Sequence, residues 1–130
     1  MSGPRVLVVD DNMTNLKLIE YLLQSKGYDV HTATDAESAL ELVYSLKPGL
    51  VLMDLQLPGM DGLALTRKLK ADPATQNVVI LAVTAYAMKG DEERARVAGC
   101  DGYITKPIDT RTLPMLVARH LEEAGHQPGA

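Results

Sequence analysis

Five alternations of a short apolar run with a stretch of helical periodicity predict an α/β fold built on a central parallel sheet with helices on both faces. The apolar runs are rich in Val, Leu and Ile and are hydrophobic throughout rather than alternating, as in strands covered on two sides. Gly and Pro fall between the segments, where turns belong.

Val6 to Val9 is the first such run and ends in acid, Asp10 and Asp11. From Thr14 the period becomes helical, with Leu16, Ile19 and Leu23 on one side and Gly27 as the helix stop. Tyr28 to Ala33 predicts a second strand. A second helix follows, in which Thr34 and Glu37 have the spacing of a capping box and Ala36, Ala39, Leu40 and Val43 form a stripe. Lys47-Pro48-Gly49 ends it. Leu50 to Met53 predicts a third buried strand running into Asp54, after which Pro58, Gly59 and Gly62 make a turn-rich loop. A third helix carries Leu65 and Leu69 and closes at Asp72-Pro73. Val78 to Val83 is the fourth strand, ended by Thr84, and the fourth helix is predicted over Met88 to Ala98 with Gly90 in its first turn. Gly99 and Gly102 bracket a fifth strand around Tyr103 and Ile104, closed by Lys106-Pro107. The last helix puts Leu113, Leu116, Val117 and Leu121 on one stripe; Pro114 fits only a first turn, which favours Thr112 over Asp109 as its cap.

For five such units the expected arrangement is a flavodoxin-like (βα)5 three-layer sandwich with sheet order 2-1-3-4-5. The expected organisation is one domain over residues 1–124 and a frayed polar tail over 125–130. Of the 130 residues, 46% are hydrophobic and 23% charged, ordinary globular proportions. The formal net charge of −4 and the scattered Lys and Arg residues argue against nucleic acid as a partner. Cys100, the single cysteine, excludes an internal disulfide and reads as a small buried hydrophobe. The start of the chain lacks a signal-peptide pattern, and no apolar run reaches the ~20 residues needed to span a bilayer, so no membrane role and a cytoplasmic location are expected.

In sheets of this class the ligand site lies beyond the carboxyl ends of the strands, where the strand order reverses. Asp10, Asp11 and Asp54 fall at that point. Two charges ~4 Å apart repel by about 4 kcal/mol at an effective dielectric near 20, so three gathered carboxylates call for a cation. An all-oxygen donor set favours Mg2+, with Mn2+ as a possible substitute, and Mg2+ characteristically keeps positions for phosphate oxygens. Asp54, on the central strand, is the candidate nucleophile. Lys106 could reach the same edge from the fifth strand, and Thr84 would bring a hydroxyl.

Val8-Val9-Asp10-Asp11, Leu52-Met53-Asp54 followed by Pro58-Gly-Met-Asp-Gly62, Thr84-Ala85, and Gly102-Tyr-Ile-Thr-Lys-Pro107 resemble the ordered motifs of response-regulator receiver domains, the CheY-like superfamily. The likeness covers residues 5–121 and includes a resemblance to stand-alone single-domain regulators of the DivK type. It implies a two-component switch in which Asp54 accepts a phosphoryl group from a histidine kinase or histidine phosphotransfer protein. Asp11, Asp54 and the Gln56 backbone carbonyl would bind Mg2+, with Asp10 assisting through water. Thr84, the Ala85 amide and Lys106 would hold the phosphoryl oxygens, and Tyr103 would be the switch aromatic. The resemblance also implies a cis bond before Pro107 and an output face, formed by the fourth helix, fifth strand and fifth helix, for a downstream protein target. The expected state is a monomer or weak dimer, and the expected chemistry stops at self-phosphorylation from small donors and slow autodephosphorylation.

Asp11-Asn12-Met-Thr-Asn15 also resembles receivers built into hybrid histidine kinases, so a domain excised from such a protein is the alternative. An aspartyl-phosphate phosphatase of the haloacid dehalogenase kind would carry a second Asp two residues after the nucleophile, where Gln56 stands. A flavodoxin-like cofactor binder would need a phosphate-cradling loop where Asp10-Asp11 would repel phosphate. A receiver fold without chemistry is at odds with the complete set of acids, Thr84 and Lys106.

Overall fold

The computed structural model describes residues 3–55, 57, 62–84 and 90–124, with Asp91 represented by its backbone alone. Five strands alternate with five helices: β1 Arg5–Val9, α1 Met13–Gln24, β2 Asp29–Ala33, α2 Ala36–Leu46, β3 Leu50–Asp54, α3 Gly62–Ala71, β4 Val79–Thr84, α4 Asp91–Ala98, β5 Gly102–Thr105 and α5 Leu113–Glu123. The strands form one parallel sheet in the order β2-β1-β3-β4-β5, the predicted flavodoxin-like topology. Residues 125–130, expected to fray, lie outside the described residues.

The continuous apolar strands have the cause proposed for them: each face of the sheet is covered. On one side Leu7, Val9, Val51, Met53, Ile80 and Ala82 pack under α2, α3 and α4. On the other, Val6, Val8, Leu50, Leu52, Leu81 and Val83 meet Leu16, Ile19 and Leu23 of α1 and Leu113, Val117 and Leu121 of α5. Alternate residues thus serve opposite cores, following the period-two geometry of a strand. Cys100 is buried in the first core, and burial pushes its thiol pKa up.

The departures from expectation are local. Asp35, not Thr34, caps α2: its carboxylate accepts from the Ser38 amide at 2.7 Å, and the Ser38 hydroxyl donates back at 3.2 Å. A carboxylate is the stronger acceptor and complements the positive end of the helix, so it displaces the neighbouring hydroxyl. Gly62 belongs to α3 as its first residue rather than to the loop before it. Gly90 is the N-cap of α4, at φ 93°, outside the helical region; Met88 and Lys89 lie outside the described residues. Lys106 stands one residue past β5. Thr112 is the N-cap residue of α5 with Pro114 inside the first turn, as expected, although its side chain makes no capping bond. Among the described residues no helix is long and apolar enough to cross a membrane.

Lys47 caps the carboxyl end of α2 in the left-handed region at φ 50°, a conformation that costs a residue with a Cβ about 1 kcal/mol. Lys47→Gly is therefore expected to stabilise the fold by about 0.5 kcal/mol after its extra unfolded-state entropy is counted. A raised urea midpoint with an unchanged slope is the expected result; a lowered midpoint would show that the lysine side chain contributes more than its backbone strain costs.

Candidate functional site

The chain path at the carboxyl edge of β1 and β3 converges three acids. The parallel pairing of Val9 with Met53 brings the ends of the two strands side by side, so Asp10 and Asp54 emerge as neighbours. Both are buried, 2% exposed each, while Asp11 turns out to solvent. One carboxyl oxygen from each of Asp10, Asp11 and Asp54 lies within 4.8 Å of the others, and this is the one group of potential metal ligands among the described residues.

The turn that separates Asp10 from Asp11 is built by Asn12. Its backbone amide donates to Asp10 Oδ1 at 2.9 Å, an Asx-type turn, while its own side chain caps α1 by accepting from the Asn15 amide at 3.1 Å. Sequence reasoning noted Asn12 and Asn15 as part of a motif but missed this function, although an acid two residues before an Asn-x-x-Asn helix start is a legible signal.

Lys106 approaches from the other side of the sheet. Its backbone amide donates to the Thr84 carbonyl at 2.7 Å, extending the β4–β5 pairing past the end of the strand, and the following peptide bond to Pro107 is cis. Its ammonium lies 3.3 Å from Asp10 Oδ2 and 3.3 Å from Asp54 Oδ2. Burial, the largest single influence on this group, lowers its pKa, but the facing charges of Asp54 and then Asp10 outweigh it and leave the pKa raised above the ordinary lysine value of 10.5. A raised lysine pKa contributes stability that is fully present below 10.5 and is lost only as pH climbs through the folded value, so the contribution is complete at neutral pH.

Thr84 ends β4 and is 1% exposed, and Tyr103, opposite Ala82 on β5, rests half-buried against the core beneath α2, α3 and α4. The structure thus brings Asp10, Asp11, Asp54 and Lys106 together and places Thr84 and Tyr103 on the adjoining strands. Gln56 and Ala85 lie outside the described residues.

A 2-1-3-4-5 parallel sheet with converged acids and a lysine at its switch point defines the class of receiver domains. The chain belongs to the response regulator receiver domain family, whose model matches residues 6–118, and so to two-component signalling, a family of switches rather than classical enzymes. It is similar to the polar-differentiation response regulator DivK of Brucella anthropi, with 41% identity over 119 residues, 92% of this chain and 97% of the relative. The fold matches the CheY-like receiver domain protein of Methanospirillum hungatei with a TM-score of 0.89 and 31% identity, over 95% of this chain and 98% of that one. It also matches the receiver domain of sensor histidine kinase PA1611 from Pseudomonas aeruginosa, a structure with a magnesium ion coordinated in the active site cleft. That match has a TM-score of 0.85 and 34% identity, over 93% of this chain and 99% of that one.

Removing the Lys106 charge while keeping its stem should leave two buried carboxylates without their cation. Lys106→Met is expected to cost about 2 kcal/mol at neutral pH in metal-free buffer, below the range for fully buried pairs because the lysine is 19% exposed. Urea unfolding measures it; an unchanged midpoint would mean that the ion pairs do not hold the site together.

Proposed function

We propose that this chain, over residues 1–124, is a phosphoacceptor switch in which Asp54 takes a phosphoryl group from a phosphohistidine on a histidine kinase or histidine phosphotransfer protein. The observation that carries the reading is the convergence of Asp10, Asp11 and Asp54 with Lys106 at the carboxyl edge of the sheet, with Asp54 on the central strand. A carboxylate oxygen of Asp54 forms the new bond to phosphorus as the bond from phosphorus to the imidazole nitrogen breaks, and that nitrogen leaves with the electron pair. Such transfer depends mostly on positioning and on charge neutralisation.

The donor set fits a hard divalent cation: the clustered ligand atoms are all carboxyl oxygens, within 4.8 Å of one another. Asp11, Asp54 and the Gln56 carbonyl would hold Mg2+, or Mn2+ in its place, with Asp10 acting through water. Bound there, the ion supplies charge neutralisation to the acids and to the incoming phosphoryl oxygens. The magnesium in the PA1611 receiver supports this assignment. Lys106, already between Asp10 and Asp54, would exchange part of that pairing for a phosphoryl oxygen, with the Thr84 hydroxyl and the Ala85 amide holding others.

The match to nearly the whole length of DivK supports a stand-alone regulator of that type; the proposal takes it to be cytoplasmic, monomeric or weakly dimeric, and directed at a downstream protein, with neither nucleic acid nor membrane as partner. The similarity to a histidine kinase's own receiver keeps the excised hybrid-kinase domain as the second reading.

Acetyl phosphate or phosphoramidate with Mg2+ is expected to add one phosphoryl group, read as one phosphate in the intact mass, and Asp54→Asn should take none. Mg2+ should also raise the melting temperature through preferential binding to the folded state, and Asp11→Ala should lose most of that rise. The same mass gain in Asp54→Asn with chelator present would remove both nucleophile and metal from the mechanism.

Phosphorylation brings about two negative charges to the end of β3 and draws the Thr84 hydroxyl toward them, opening space for the Tyr103 ring to turn inward. Tyr103 also borders a groove with Thr105, Pro107 and Leu116, so its movement would reshape a face made by α4, β5 and α5. Thr84→Ala and Tyr103→Ala should still accept phosphate but show a reduced phosphorylation-dependent gain in binding, in a pull-down of protein targets with and without phosphodonor. Equal gains in wild type and both variants would sever the output from this route.

A further inference from the structure

The first residue of α3 has no room for a side chain, and what a side chain would strike is the backbone of Asp54. A Cβ on Gly62 would stand 2.7 Å from the Asp54 carbonyl oxygen, 2.9 Å from Leu55 Cα and 3.2 Å from Leu55 Cδ2. The two nearest atoms are backbone, so no rotamer change relieves the contact. Glycine is required here by space, since the residue is helical rather than left-handed.

Neither side of the contact can easily retreat. Asp54 pairs with Val83 of β4, and the Leu55 amide donates to the Val83 carbonyl at 3.0 Å. On the helix side, the Gly62 amide faces the Leu55 carbonyl at 3.4 Å, the Thr66 hydroxyl donates to the Gly62 carbonyl at 2.9 Å, and Leu65 and Leu69 are fully buried. The end of β3 is held between β4 and the start of α3.

We infer that Gly62 is a positioning residue for Asp54: its bare α-carbon lets the first turn of α3 close against the Asp54 carbonyl and so sets where the Asp54 carboxylate stands relative to Asp10, Asp11 and Lys106. The inference rests on the phosphoacceptor reading above. A Cβ at residue 62 displaces the end of β3, and displacements of a fraction of an ångström to 1 Å at a reacting group cost on the order of ten- to a hundredfold in rate.

The test compares Gly62→Ala with Leu69→Val, which loosens the far end of the same helix without touching Asp54. Phosphorylation by phosphoramidate is followed by intact mass across a Mg2+ titration, at a temperature where circular dichroism shows each protein fully folded. Gly62→Ala is expected to slow phosphorylation at saturating donor and Mg2+ about tenfold or more and to raise the Mg2+ half-saturation point; Leu69→Val should melt earlier but keep wild-type values for both. Should Gly62→Ala not fold alone, the comparison is made in the Lys47→Gly background. Wild-type rate and Mg2+ dependence in Gly62→Ala would overturn the inference, as would an equal loss in Leu69→Val. Restoration by adding Leu55→Ala would also overturn it, because the contact would then be with a side chain and not with the strand. A wild-type protein that takes no phosphate would instead overturn the phosphoacceptor reading.

Discussion

Mutual repulsion of carboxylates is the constraint around which this end of the molecule is arranged. Asp10 and Asp54 are both buried at adjacent strand ends, and at short range in a partly desolvated site each pair of charges costs several kcal/mol unless a cation answers it. Lys106 answers it in part, by standing 3.3 Å from both. One ammonium, paired with two of the three clustered carboxyl groups, leaves the cluster short of positive charge. That shortage is what a divalent ion of the kind receiver domains bind would make good, and on the proposed mechanism the same lysine is the group an incoming phosphoryl oxygen would recruit. Charge balance and chemistry are therefore one arrangement.

The sheet makes this arrangement rigid where it must be and movable where it can be. β3 and β4 are buried along their lengths and β1 is buried beyond Arg5, so Asp10, Asp54 and Thr84 sit at the ends of strands held from both faces. β5 is only half-buried and is an edge strand, and the Lys106 backbone amide just past its end donates a hydrogen bond to the Thr84 carbonyl. On the proposed mechanism a change at Asp54 would reach the end of β5 by two physical routes, through the Lys106 ammonium and through Thr84, which pairs with Thr105.

Most of this architecture was legible in the sequence because it follows from periodicities. Uninterrupted apolar strands declared a two-sided sheet, and their acidic ends declared the edge at which chemistry collects. What was not legible depended on choices between neighbours. Thr34 and Asp35 both carry capping oxygens, and only geometry decides that the carboxylate wins. Gly62 read as a loop glycine because sequence cannot tell a residue that must bend from one that must leave space. The Asn12 turn had a legible signal but was overlooked, since its amide, not its side chain, makes the contact with Asp10. Helix composition was likewise a poor guide at Gly90, expected within the first turn of α4 but standing as its N-cap at φ 93°.

The weakness of α4 follows from its residues and bears on how a small chemical change becomes a surface change. Among its described side chains the well-buried ones are Ala95 and Ala98, worth about 0.8 kcal/mol of apolar burial each on a per-carbon basis. By the same measure Leu113, Val117 and Leu121 anchor α5 with about 2 kcal/mol apiece. Gly90 and Gly99 cap α4 in the left-handed region at φ 93° and 112°, and Val97 is 76% exposed. An element anchored this lightly shifts for a small free energy, as the parts of proteins that move in switching generally do. The energy of one new charge-assisted hydrogen bond at Thr84, about 2 kcal/mol, is comparable to the whole apolar anchorage of α4 and well below that of α5. On the proposed mechanism, the packing favours a rearrangement confined to α4 and the adjoining edge strand, with α5 as the fixed wall of the face.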